Sequence, residues 1–180
     1  MKKLCTLLAI GIITLTTACK TSVKGDNSVS YSSAIAYNDS IVKKQQEIIS
    51  SSLQLTSEAD VSKAAKIVDE SISKITVSIK YLQGMPDWKG NTTLRDRALD
   101  LFNFYKELFS KDYKAILEIK KDGQITSEEQ AKLIQIQTSV TEKEAKLDAA
   151  FEKAQKDFAE SNHMGIINNP IQEKIDALKK

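Results

Sequence analysis

The chain has 180 residues, with 26 Lys+Arg against 24 Asp+Glu, a formal charge of +2. That length suits one domain with a real core, and 28% charged with 41% apolar residues excludes both a disordered polymer and a multi-span membrane protein. Near-balanced charge argues against a nucleic-acid binder, and one His with two Cys leaves little material for metal or nucleophile chemistry.

Lys2 and Lys3 form a short positive start, and 4–15 (LCTLLAIGIITL) is an apolar run followed by Thr16-Thr17-Ala18-Cys19. The run is too short to span a bilayer stably and fits a secretory signal peptide over 1–18. A small residue followed directly by Cys resembles the lipobox of bacterial lipoproteins. The resemblance implies that Cys19 carries a diacylglycerol thioether, with palmitate-type acyl chains, and becomes the mature N-terminus. Cys5 then leaves with the signal, and no thiol remains for a disulfide or thiolate site. Residues 19–30 are polar and small, with a turn signal at Gly25-Asp26-Asn27, and read as a flexible tether.

Six Gly and two Pro in the whole chain are few. Beyond the tether they fall only in 84–90, at 123 and in 165–170, so 31–180 reads as one helical domain of long stretches. A first helix is expected over 31–54, where Ala34, Ile41, Ile48 and Leu55 recur every seven residues. A second covers 58–83, with Val61, Ala65, Val68, Ile72, Ile75, Ile79 and Leu82 as its seam and Ser57 as a cap. The third, 92–122, carries Leu94, Ala98, Leu101, Phe102, Tyr105, Leu108 and Phe109. The fourth, 127–163, carries Leu133, Val140, Leu147, Phe151 and Phe158. These predict an all-α, antiparallel up-down-up-down four-helix bundle. A short C-terminal helix follows Pro170, with Ile171, Ile175 and Leu178 on one face.

Asp122-Gly123 with Glu129 imitates half of an EF-hand loop, but Lys120 would occupy a ligand position. The same residues are explained by Gly123 ending one helix and Thr126-x-x-Glu129 opening the next as a capping box. Glu160-x-x-His163 has the spacing of di-iron bundles, yet a chain with a single His lacks the second ligand pair. No cofactor or metal is expected, and no nucleophile elbow, P-loop or zinc-protease motif occurs, so the chain reads as non-enzymatic.

Polar residues inside the seams are more informative. Asn38 and Gln45 lie at the centre of the first helix's apolar face, and Glu144 does the same in the fourth. Counting turns from the links near 56 and 124 puts Asn38, Tyr105 and Glu144 in one predicted buried layer. Gln45, Tyr113 and Gln137 form a second. Such a layer sets register, or else holds a small polar ligand or ion between helices. The lone Trp88, in a Met-Pro-Asp-Trp link, either anchors a partner or folds back to seal the bundle's end. Phe104, off the apolar face, is a candidate exposed aromatic and, with Trp88, a candidate partner surface. Basic and acidic residues alternate through 141–160 and read as a solvated face.

The run Tyr37-Asn38-Asp39-Ser40-Ile41-Val42-Lys43-Lys44-Gln45 behind a lipobox resembles the uncharacterised surface lipoproteins of leptospiral and Bacteroidota type. The resemblance implies a lipid-anchored location in the bacterial envelope, at the outer membrane, facing periplasm or exterior. It implies no particular activity. Two functions remain: a module that binds another, unidentified envelope protein, or a binding protein for a small polar ligand or ion in the bundle interior. Cleavage before Cys19 removes Lys2 and Lys3 but no acid, so the anchored chain is electrically balanced.

Overall fold

In a computed structural model, the chain is described over residues 13–16, 23–24, 30–121 and 123–168. Cys19, most of the tether, Asp122 and the expected C-terminal helix lie outside the described residues. The fold is all-α. Helix α1 covers Ala34–Ser57, α2 covers Val61–Gln83, and α3 covers Thr93–Glu107. A π-helical turn at Leu108–Tyr113 carries α3 directly into α4, Lys114–Lys120, and α5 runs over Ser127–Ser161. Two short antiparallel pairings lie beside the helices, Ile13–Thr16 with Gly165–Asn168 and Val23–Lys24 with Ser30–Tyr31. Among the described residues no helix is long and apolar enough to cross a membrane.

Local chemistry explains the boundaries. α1 runs through its serine cluster because Ser51, Ser52 and Thr56 donate to carbonyls four residues back, which lets a polar run stay helical. The helix therefore ends at Ser57 rather than near 54, and Ser57 is its last residue instead of the cap of α2. That cap is Asp60, whose carboxylate accepts from the Lys63 amide at 2.9 Å. Gly123, at φ +72, ends the third stretch in a conformation that side chains disfavour. Thr126 and Glu129 form the expected capping box, with the Glu129 carboxylate 2.9 Å from the Thr126 amide.

α2 packs on both α1 and α3, and α3 packs on α5. Stacking of Tyr37 on Phe158, 5.7 Å apart, brings α1 against α5 and closes the bundle. We call the end that holds Trp88 and Phe158 the upper end, and the end holding the α1–α2 and α4–α5 links the base. The main core runs the length of the bundle, with Ile41, Ile48, Ile75, Leu82, Leu101, Phe102, Phe109 and Phe151 all sealed from solvent. A small second cluster of Ile116, Ile119 and Leu133 ties α4 to α5 at the base.

Candidate functional site

Three features compete as sites: the upper end, the polar interior and a cavity at the base. At the upper end, Lys89 and Gly90 both adopt positive φ (51° and 82°), making a two-residue turn that pairs Trp88 with Asn91. This turn folds Trp88 inward, where it is only 3% exposed and donates from Nε1 to Asn162 Oδ1 at 2.8 Å. Tyr37 and Phe158 surround it at ring separations of 5.4 and 6.0 Å. Tyr31 closes over Tyr37 and shares a 2.9 Å hydroxyl contact with Tyr81. The Tyr37 hydroxyl donates to the Pro86 carbonyl at 2.9 Å, and burial pushes it up to about 12. Of the two readings of Trp88, the structure adopts the seal, and the partner surface built on Trp88 and Phe104 does not exist in this conformation. Phe104 is 7% exposed and packs against Tyr105. Its helix is covered by α2 on one side and α5 on the other, so the buried arc is wider than one seam implies.

The seam polar residues are all buried: Asn38, Gln45 and Tyr105 fully, and Glu144 almost so. Tyr105 and Glu144 meet as expected, the hydroxyl 3.4 Å from Oε1. Asn38 does not join them. Its Oδ1 accepts instead from Gln155 Nε2 at 3.1 Å, eleven residues beyond Glu144 in α5 and about 16 Å along the axis. The expected single layer is therefore two. The turn count failed because α1 and α5 do not descend in step. From the base to the Asn38–Gln155 pair α1 spends 19 residues from Ser57, and α5 spends 29 from Thr126. The longer path of α5 carries Gln155, not Glu144, to the level of Asn38.

Asp148, one turn beyond Glu144, is also buried. Burial, then the Asp148 and Glu144 charges and the bond to Glu144, hold the Tyr105 hydroxyl well above its ordinary range. It remains a neutral donor at any physiological pH. Gln45 is fully buried, and among the described residues neither its Nε2 nor its Oε1 finds a hydrogen-bond partner. Asp148 and Gln155 escaped the sequence reading because they sit in the alternating-charge run of 141–160. The signal was there: 144, 148, 151 and 155 share one helical face with Val140. Tyr113 and Gln137, the expected companions of Gln45 in a second layer, are half-buried, and no hydrogen bond joins Gln45 to either.

The base is open. A cavity of about 420 Å³ lies between the α1–α2 link, α4 and the α4–α5 link. Its walls are Leu55, Val61, Ala64, Ile116 and Leu117, with Tyr113 at one side and Ile125, 44% exposed, at the rim. Tyr113 is the last residue of the π-helical turn, and such turns re-aim the helix beyond them. Here the redirected face splits: Ile119 closes on Leu133, Leu117 and Lys120 turn toward the cavity, and Ile116 borders both. Glu58, also in the lining, accepts from the Asp60 amide at 2.9 Å. Lys120 makes no ion pair among the described residues. Nothing in the sequence signalled this cavity, since a π-turn has no sharp motif and its walls come from three separate segments.

Among the described residues no three His, Cys, Asp or Glu side chains gather as metal ligands. Comparison with protein-family models, with curated proteins and with solved structures finds no match, so function has to be read from the chain's own residues.

Proposed function

We propose that this chain is a lipid-anchored, non-enzymatic helical module of the bacterial envelope that binds through the base of its bundle. The lipobox ending in Cys19 and the resemblance of 37–45 to surface lipoproteins support the location. The observation that carries the binding reading is the polarity of the bundle: the tether enters at Tyr31, under the aromatic seal, and the cavity lies at the far end of α1. At 1.5 Å per residue the 24 residues of α1 separate the two by about 36 Å. An anchored domain thus presents its open end away from its own attachment.

Signal removal before Cys19 would also release Ile13–Thr16 from Gly165–Asn168. The test is metabolic labelling with an alkynyl fatty acid in cells that express the full chain. Label at Cys19, and its loss together with membrane association in Cys19→Ala, is expected. Persistence of both in Cys19→Ala would refute the anchor.

A second reading places a small polar ligand or ion in the interior. One observation favours it: the two buried amide atoms of Gln45 without partners, an arrangement that ordinarily costs about 1–3 kcal/mol. If a polar guest supplies those bonds, Gln45→Leu destabilises the native chain. If none does, Gln45→Leu leaves it equally stable or firmer.

A further inference from the structure

The base cavity has a chemistry narrow enough to name a ligand class. Its walls are aliphatic: Leu55, Val61, Ala64, Ile116 and Leu117 face it, and the single aromatic, Tyr113, stands at one side. Among the described residues, one charged side chain in the lining lacks an ion-pair or hydrogen-bond partner, and that is Lys120. The other, Glu58, already accepts from the Asp60 amide. At about 420 Å³ the cavity lies within the ordinary size of a small-molecule site and has room for one aliphatic chain. A concave apolar wall with a few placed polar groups is the usual form of a small-molecule site.

We propose that the base cavity binds a single-chain carboxylate amphiphile, its aliphatic chain along Leu55, Val61, Ile116 and Leu117 and its carboxylate at Lys120. The cavity lies about 36 Å along α1 from the tether, so the ligand can arrive from solution or from a facing membrane. This inference rests on the binding reading above and gives that reading its ligand.

The test uses envelopes from cells that express the full chain, treated with a fatty acid bearing an aliphatic diazirine and a terminal alkyne. After irradiation, adducts are mapped to peptides. We expect light-dependent adducts confined to 55–64 and 113–125, removed by competing dodecanoate and removed about fivefold less effectively by dodecanol, the factor a solvent-facing ion pair supplies. Val61→Trp and Leu117→Trp each fill the cavity from a different wall, and both should abolish these adducts with the helical circular dichroism unchanged. Lys120→Gln should make dodecanoate and dodecanol equal competitors.

Adducts scattered over the surface, or retained in both tryptophan variants, would overturn the site. Equal competition by dodecanoate and dodecanol in the unsubstituted chain would overturn the carboxylate assignment. Metabolic label at Cys19, introduced in the living cells before the envelopes are made, reports the anchor separately, so failure of the cavity and failure of the anchor are read in different peptides.

Discussion

At the upper end, Tyr37, Trp88 and Phe158 lie within 6.0 Å of one another ring to ring, and each polar atom they carry has a hydrogen-bond partner. At the base, aliphatic side chains from three segments stand around about 420 Å³ of space and leave Ile125 in water. Both ends are made from short links between helices. The upper link encloses a large aromatic residue and fixes it through a tight turn. The α1–α2 link at the base has only Glu58, Ala59 and Asp60 between helices, with no side chain large enough to cover the gap. The contrast shows that link composition, not helix packing alone, decides which end of a bundle is available to a ligand.

Breaking the sealed end should produce the largest effect. Trp88→Ala removes a buried indole and strands Asn162 Oδ1, so denaturant unfolding should register a loss of about 3–5 kcal/mol. A loss below about 1 kcal/mol would mean that the seal is dispensable.

Tyr105→Phe comes next. It removes one donor from the buried Glu144 and should cost about 1–3 kcal/mol, and adding Glu144→Leu should recover most of it. Alkaline titration should give a loss of the same order. Tyr37 and Tyr105 keep their protons in the folded chain beyond the ordinary tyrosine value near 10. Above that value the unfolded chain ionises first, so stability is complete below about pH 10 and falls as pH rises toward about 12, where Tyr37 ionises in the folded chain. Thermal unfolding followed from pH 8 to 12 would show this.

Effects at the base should be smaller. Its caps, Asp60 and Glu129, have carboxyls held below their ordinary range by the Lys63 and Thr126 amides. Their contribution is present above the unfolded values near 4 and is lost as pH falls through the lower folded ones. Amide exchange in the first turns of α2 and α5 should accelerate over that window while the upper end is unaffected. Smallest of all, Val61→Trp enters existing space and should change stability by less than about 0.5 kcal/mol. A large destabilisation there would mean that the base is packed as tightly as the upper end.

Helical periodicity and the scarcity of Gly and Pro made the four stretches legible, because both are set within single segments. The capping box at Thr126 and Glu129 and the break at Gly123 were legible for the same reason. Burial of Asn38, Gln45 and Glu144 followed from their angular position on their own helices. Partnership did not follow, because pairing Asn38 with Gln155 depends on how far α5 travels between base and upper end. Phe104 shows the same limit: one helix's pattern does not reveal that α2 and α5 both cover it. The base cavity was the least legible feature, arising from a π-turn and two links that meet only in the folded chain.

The claim that the bundle is closed at its upper end and open at its base is tested most directly by amide hydrogen exchange on the full chain. The account predicts slow, near-global protection in 34–49, 94–105 and 151–159, with faster local opening at 55–61 and 113–125. Equal protection at both ends, or faster exchange around Tyr37 and Phe158 than around Leu117, would contradict it.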